Sequence, residues 1–451
     1  MKDLIQKVES RNAVIGVLGM GYVGLPLAIS FAKRFNVIGF DINQVLINNL
    51  RLGQSHISDV SDDEIKHVLC RSFYPTSESS ELKECDIMII CVPTPLTKDK
   101  KPDLSYITGA CKTISSFLRK GQFVILESTT YPGTTNEIMV PMLETSHLEA
   151  GTDFGVAFSP ERIDPGNKDY TIDKIPKVVG GINEECTKIA ALIYKSIIND
   201  IVCVKDAKTA EAVKMVENVF RNVNIALVNE LALIFEKMGI NCWEVIKAAS
   251  TKPYGYTPFY PGPGVGGHCI PLDPFYLSYQ AKRYGIIPRF IETSGEINEF
   301  MKVHVINLIR KGLDDKNKKI FGAKILVLGL GYKKNIEDVR ESPSKDIIEE
   351  LVVSGADVTV FDPFARSIRT EVGEFFSQAS ICDAFNDIDC AVFMVDHDIF
   401  KNIDLVKLTS ENSFPLIIDC KNIFYKFNGH GLLGLGRGDI NRNATIIKEN
   451  V

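Results

Sequence analysis

The sequence predicts an α/β protein in which two doubly wound domains are joined by a long central helix. Three observations predict it. Apolar, strand-like runs alternate with helical patterns from Ala13 to about residue 200, the stretch Asp206–Met238 holds neither proline nor glycine, and the alternation resumes at about Lys319. Alternation of this kind implies a parallel sheet with helices on both faces. A chain of 451 residues also exceeds what one core organises, so two or three domains are expected. The divisions expected are 1–205, 206–318 and 319–451.

In chain order, Ala13–Leu18, Val37–Phe40, Ile87–Val92, Phe123–Leu126 and Val156–Phe158 read as strands of the first domain. Val23–Lys33 and Leu104–Leu118 read as helices between them. Asp206–Met238 reads as one helix closed by Gly239. It is apolar over much of its circumference, which predicts burial, in part against a second subunit. Residues 250–275 are rich in Pro, Gly and Tyr and predict an irregular loop. Ile325–Leu330, Asp357–Phe361, Ala391–Val395 and Leu416–Asp419 read as strands of the last domain.

Composition narrows the function. Hydrophobic residues make up 45% and charged residues 24%, as in ordinary globular proteins. The net charge is -6 with no basic block, so nucleic acid is not an expected partner. No apolar run approaches the length of a bilayer span, so no membrane association is expected. Met1–Arg11 is charged and mixed, unlike a signal peptide. The 11 cysteines are scattered without a Cys-x-x-Cys pair, which argues against a metal site. An odd count without an export signal points to reduced thiols in the cytoplasm.

Gly19, Gly21 and Gly24 form G-x-G-x-x-G between a predicted strand and helix. The first glycine makes the tight turn, the second admits a pyrophosphate, and the third lets helix and strand pack. Phosphates then meet free N–H groups at a helix N-terminus. Asp41 ends the next strand, about 20 residues on, where a ribose-binding acid is expected. No arginine follows it (Ile42, Asn43, Gln44), so NAD is preferred to NADP as cofactor. The competing reading is a glycine-rich turn with no ligand. A second turn, Gly329-Leu330-Gly331-Tyr332, echoes the first, so both domains read as Rossmann-like and internal duplication is a hypothesis. Here Lys334 replaces the third glycine, and Lys333 and Lys334 are either solvated or meet a diphosphate as point charges.

The run Tyr260-Pro261-Gly262-Pro263-Gly264-Val265-Gly266-Gly267-His268-Cys269-Ile270-Pro271 can be neither helix nor regular strand. Glycines there allow positive φ and close approach to a ligand. Cys269 is a candidate nucleophile; the alternative is a buried cysteine beside a turn. Lys214 and Asn218 lie four apart on the long helix, hence on one face. Lys214 either snorkels to the surface or is buried with a partner. Asp273 is either an acid at a helix N-terminus or a loop acid holding water. Glu127-Ser128-Thr129-Thr130-Tyr131-Pro132-Gly133 and Ser159-Pro160-Glu161-Arg162 both follow strands, and strand C-termini face ligands in doubly wound sheets. Glu161 is thus a candidate acid/base or water-positioning residue.

Together these stretches resemble the UDP-glucose/GDP-mannose dehydrogenase family over nearly the whole chain. The matching residues are Gly19-Met20-Gly21-Tyr22-Val23-Gly24-Leu25-Pro26, Glu127-Ser128-Thr129, Ser159-Pro160-Glu161-Arg162, Lys214 with Asn218, Gly266-Gly267-His268-Cys269 and Asp338-Val339-Arg340-Glu341-Ser342. The wording of Ser159–Gly166 and Tyr260–Pro274 is most similar to bacterial UDP-N-acetylglucosamine 6-dehydrogenases of surface-polysaccharide synthesis. UDP-N-acetylmannosamine and UDP-N-acetylgalactosamine enzymes are close relatives. One departure is Pro165, where UDP-glucose dehydrogenases carry a second glutamate.

The resemblance implies oxidation of a sugar C6 alcohol to a carboxylate with two NAD, through a Cys269 thiohemiacetal and thioester. It implies that Lys214 assists proton transfer or stabilises oxyanions, that Asn218 adds a hydrogen bond, and that Asp273 and Glu161 position water. Thr129 would lie between nicotinamide and sugar. Met20, Tyr22, Val23, Thr94 and Arg340 would join the glycines and Asp41 at the cofactor, while Arg162, Tyr260, Gly266 and Lys333 would join Glu161, Lys214 and Asn218 at the UDP-sugar. No catalytic role falls to His268. The family and the apolar helix together imply a homodimer. The rival readings are an NAD-retaining sugar-nucleotide epimerase, which needs no thiol, and a non-catalytic NAD-binding protein, which needs neither Lys214, Asn218 nor Cys269.

Overall fold

The computed structural model describes residues 1–441 apart from Ser58, Lys98, Lys100, residues 164–169, Thr171, His268, Cys269, residues 409–413 and residues 428–430. Among them are two units. One comprises Met1–Glu217 with Phe275–Ile286, the other Asn218–Pro274 with Ile287–Val451.

The first unit is built on eight strands: β1 (Val14–Leu18), β2 (Asn36–Phe40), β3 (Phe73–Thr76), β4 (Ile87–Ile90), β5 (Phe123–Leu126), β6 (Gly155–Phe158), β7 (Lys177–Gly181) and β8 (Ile201–Cys203). Their spatial order is β3-β2-β1-β4-β5-β6-β7-β8. Strands β1 to β6 run parallel, as the apolar runs predict. Strand β7 reverses against β6 and carries β8 parallel to itself, a departure from a wholly parallel sheet. Successive side chains alternate between faces. Val17 and Ile89 enter one core, whereas Leu18, Met88 and Ile90 enter the other. A sheet buried on both faces reads as continuous apolar runs, which made β4 and β5 legible. The strands missed are short or punctuated. Strand β3 holds Pro75 and lies at the edge, where proline is tolerated. Strand β7 ends in Gly180 and Gly181, where a Cβ would stand 2.2 Å from the Asp206 carbonyl oxygen and 2.4 Å from the Thr187 nitrogen.

The second unit holds a parallel sheet of five strands and a separate hairpin. The strands are β9 (Lys324–Leu328), β10 (Asp357–Phe361), β11 (Ser367–Thr370), β12 (Gly373–Phe376), β13 (Cys390–Phe393), β14 (Leu416–Asp419) and β15 (Leu432–Gly434). The sheet runs β10-β9-β13-β14-β15, and β11 pairs with β12 antiparallel. Val327 faces one core while Leu326 and Leu328 face the other.

The expected long helix spans Ala207–Met238, one residue shorter than its sequence reading at the start. Asp206 caps it from outside, its carboxylate accepting from the Thr209 N–H at 2.8 Å. Gly239 ends it at φ +77°. Residues 207–217 belong to the first unit and 218–238 to the second. The predicted burial holds only in part. Val216, Phe220, Leu227, Ile234 and Met238 are all exposed on this chain.

Both units use the same strand–turn–strand device. The Gly19 N–H donates to the Phe40 carbonyl at 2.8 Å, and the Gly329 N–H to the Phe361 carbonyl at 2.9 Å. The echo seen in sequence is therefore an equivalence of backbone geometry.

Candidate active site

The nucleotide turn of the first unit forms where β1 ends between β2 and β4, the switch point of a doubly wound sheet. Gly19 has φ +96°, and a Cβ there would come within 2.6 Å of the Cys91 carbonyl oxygen. At Gly24, the first residue of the helix Gly24–Ala32, a Cβ would overlap the Gly19 carbonyl oxygen at 1.8 Å. Gly21 is different, because nothing stands within 4 Å of its Cβ direction, so its backbone is open to a diphosphate. Asp41 accepts from the Met20 and Asn43 N–H groups, each at 2.8 Å. One oxygen faces each donor, leaving lone pairs on both for ribose hydroxyls. These features fit NAD. Met20 is buried, Val23 precedes the helix as its N-cap, and Tyr22 is exposed. Thr94 is buried, its carbonyl accepting from the Tyr276 hydroxyl, and Thr129 is half-buried just past β5. Sequence reasoning missed His56. Desolvation lowers its pKa, outweighing the opposing influence of the nearby Asp41 charge and the Met20 backbone.

The ends of β5 and β6 carry a buried charge cluster. Lys177 Nζ lies 2.9 Å from Glu127 Oε2 and 3.4 Å from Glu161 Oε2. The Tyr194 hydroxyl donates to the other oxygen of Glu127. Burial raises the Glu127 pKa to about 7, against the opposing pull of Lys177. Glu161 is also desolvated, but Lys177, Lys214 and the N–H groups of Ile163 and Arg162 together hold it below the usual range. It is therefore a carboxylate at neutral pH, an acceptor rather than an acid. Lys214 does not snorkel. It is buried, and its ammonium donates to the Glu161 backbone carbonyl at 2.5 Å. Arg162 pairs with Glu217 at 2.7 Å. Glu211, one turn before Lys214, was also missed. Its carboxylate accepts from Gly133 N–H at 2.5 Å and from Thr135 N–H and hydroxyl at 2.8 and 2.7 Å, and burial raises its pKa to about 7. No short motif marks Glu211, Lys177 or Tyr194, because their meaning comes only from tertiary partners.

In the second unit Asn218 Nδ2 donates to Asp273 Oδ2 at 2.6 Å, with both residues buried. Asp273 opens the helix Asp273–Arg283, which settles its position as a helix N-terminal acid. Asn222 donates to the Ile270 carbonyl at 3.1 Å, and the Gly262 N–H donates to Asn229 at 2.9 Å. These ties seat the glycine-rich run at both ends. At Gly266 a Cβ would meet the Tyr332 Cβ at 2.6 Å, and at Gly267 the Tyr332 ring at 2.8 Å, so both positions exclude a side chain. Tyr260 is exposed and stacks on Trp243. Arg340 is bonded within its own loop to Asp338, at 2.5 to 3.1 Å. Lys333 is half-buried on the second glycine turn. Cys269, His268 and Pro165 lie outside the described residues.

A dinucleotide turn, a buried lysine–carboxylate cluster and a second, basic glycine turn are the parts expected of an NAD-dependent UDP-sugar dehydrogenase. Family models agree. The NAD binding domain of the UDP-glucose/GDP-mannose dehydrogenase family matches residues 13–198, its central domain 208–300 and its UDP binding domain 326–426. The chain belongs to this family. It is 39% identical to the UDP-N-acetyl-D-glucosamine 6-dehydrogenase of Pseudomonas aeruginosa over 395 residues, 87% of this chain and 92% of that protein. A solved UDP-N-acetyl-D-mannosamine dehydrogenase of Pyrococcus horikoshii matches with TM-score 0.87 and 36% identity, covering 94% of this chain and all of that one. An NDP-N-acetyl-D-galactosaminuronic acid dehydrogenase of Methanosarcina mazei matches with TM-score 0.81 and 30% identity, over 98% and 99%. No helix among the described residues is long and apolar enough to cross a membrane.

Proposed function

We propose that this enzyme oxidises the C6 alcohol of a UDP-N-acetylhexosamine, UDP-N-acetylglucosamine foremost, to the uronic acid for surface-polysaccharide synthesis in the cytoplasm. The observation that carries the reading is the pairing of chemistry on the long helix: Lys214 with the Glu161 segment, and Asn218 with Asp273. The 39% identity to a UDP-N-acetyl-D-glucosamine 6-dehydrogenase supports the sugar. The UDP-N-acetylmannosamine reading is second, favoured by the solved relative with TM-score 0.87.

NAD, when bound, accepts the electrons of both oxidation steps. Gly19, Gly21 and Gly24 bring backbone N–H groups to its diphosphate, and Asp41 takes its ribose hydroxyls. The Cys269 thiolate adds to the C6 aldehyde, giving a thiohemiacetal whose oxidation leaves a thioester. Water then displaces the sulfur, releasing the acid and restoring the thiol. The Lys214 ammonium stabilises the oxygen anion at C6 in each addition. Glu161, kept ionised, accepts a hydrogen bond from the hydrolytic water and orients it. Asn218 and Asp273 fix the polar environment of the sulfur, and Thr129 borders the nicotinamide. Arg340 engages the cofactor, and Arg162, Tyr260, Gly266 and Lys333 hold the UDP-sugar. The exposed apolar stripe from Val216 to Met238 is the seam of a homodimer, which sedimentation will register as twice the chain mass.

NADH release across a panel of UDP-sugars, with Cys269→Ser alongside wild type, tests the reading. Wild type yields NADH and uronic acid with one N-acetylhexosamine, while the variant binds NAD and makes no acid. Turnover without net NADH would favour an epimerase instead, and wild-type acid production by Cys269→Ser would refute the thioester route.

A further inference from the structure

The two Rossmann turns treat their acids differently. Asp41 follows β2 and takes two backbone N–H groups. Asp362 follows β10 at the equivalent place, and its Oδ2 takes the Leu330 N–H at 2.6 Å much as Asp41 takes that of Met20. Asp362 goes on to accept from Gly331 at 3.3 Å, Phe364 at 2.8 Å and Ala365 at 2.9 Å. A fifth partner is His397 Nε2, at 3.2 Å. Asp362 and His397 are both buried. With every lone-pair direction used, Asp362 has nothing left for a ribose.

The other side of the His397 ring tells where this carboxylate acts. Its Nδ1 accepts from the Asn335 backbone N–H at 2.9 Å. An amide N–H can only donate, so Nδ1 carries no proton and the imidazole hydrogen sits on Nε2, aimed at Asp362. Asp362 thus holds the loop 330–335 at its start directly and at its end through His397. Asn335 takes φ +60°, and its side chain bonds Asp398 twice, at 2.6 and 3.1 Å. Lys333 sits in the middle of this clamped loop.

We propose that His397 is a positioning residue for substrate. Its Nδ1 holds the Asn335 end of the loop and so presents Lys333 and the neighbouring backbone to the diphosphate of the UDP-sugar, while its Nε2 hydrogen keeps Asp362 as an internal anchor of the fold. The proposal rests on the reading that Lys333 meets that diphosphate.

The test is calorimetric titration of the full-length enzyme with UDP, and separately with NAD, alongside thermal melting. His397→Asn keeps an acceptor near the Nδ1 position and loses the donor to Asp362, whereas His397→Gln keeps a donor near Nε2 and loses the acceptor. Positioning predicts opposite orders. The asparagine variant melts lower yet binds UDP within about threefold of wild type, and the glutamine variant melts higher than it yet binds UDP roughly five- to tenfold more weakly, one neutral hydrogen bond's worth. NAD affinity stays unchanged in both. A purely structural histidine makes UDP affinity follow melting temperature, and that result overturns the proposal. Lys333→Ala separates the two layers. If it weakens UDP binding while His397→Gln does not, the positioning role fails alone; if Lys333→Ala leaves UDP binding intact, the phosphate reading of the loop fails with it.

Discussion

Lys177 and Glu127 form a buried ion pair at 2.9 Å, and the same ammonium is shared with Glu161 at 3.4 Å. Two carboxylates and one lysine, nearly removed from water, stand together only because each compensates another. Substituting Lys177→Met leaves Glu127 without its cation and Glu161 with only Lys214. Removing one partner of a buried pair costs about 3–5 kcal/mol, mostly the penalty of the stranded charge. The double variant Lys177→Met, Glu127→Gln strands no new charge at Glu127 and should recover most of that loss. Denaturant midpoints of the two variants decide it, and a single variant within ~1 kcal/mol of wild type would remove the cluster from any account of stability.

Glu211 makes stability depend on pH. Burial raises its pKa from 4.5 to about 7, and hydrogen bonds from Gly133 and Thr135 only partly offset this. The folded state therefore binds more protons than the unfolded state between those values. Linkage then requires stability to be greatest below pH 4.5 with respect to this group and to fall as pH rises through about 7, by at most about 3 kcal/mol. Glu211→Gln should flatten the slope of stability between pH 5.5 and 8. Identical slopes in variant and wild type would show that Glu211 titrates near its ordinary value.

Asp41→Ala tests the cofactor assignment. If Asp41 takes the ribose hydroxyls, the substitution removes a charge-assisted contact worth ~1.5–3 kcal/mol, or about 10- to 100-fold in NAD affinity. It also frees the Met20 N–H, so some of the loss comes through the turn itself. UDP affinity should hold within ~2-fold, since the proposed UDP site is the second glycine turn, which is built without Asp41. Equal losses for NAD and UDP in titration calorimetry would contradict the assignment.

How much of this was legible in sequence follows from where the information sits. Strands β4 and β5 were legible because burial on both faces demands unbroken apolar runs, and Gly19, Gly21, Gly24 and Asp41 because backbone geometry dictates their spacing. Lys214 and Asn218 stood out as polar residues on an apolar helix, but the helix alone left Lys214 either at the surface or buried. The Glu161 carbonyl decides that, and it lies 53 residues away in sequence. Lys177, Tyr194, Glu211 and His397 carried no local signal at all, since each is defined by a partner from another element. Strand β7 escaped because it is short and ends in two glycines, required by close contacts at Asp206 and Thr187, that interrupt its apolar run. The glycines at 266 and 267 were legible as positions of close approach, but Tyr332, which packs against both, was not.

Asn218 and Asp273 allow charge to be separated from packing. The 2.6 Å hydrogen bond between them is charge-assisted, and Asp273 opens a helix whose N-terminal dipole favours an anion. Asp273→Asn keeps the shape and removes the charge. If the carboxylate orients water or stabilises charge during thioester hydrolysis, kcat should fall about 100-fold or more while KM for the UDP-sugar moves less than ~3-fold. Asn218→Asp sets two carboxylates against each other and should be the less stable single variant. The exchange Asn218→Asp with Asp273→Asn restores one donor facing one acceptor, so its melting temperature should approach that of wild type. Its turnover should not, because the charge then sits on the long helix instead of at the start of the next one. Recovery of both stability and turnover in the exchanged enzyme would mean that the pair serves only to fasten two helices together.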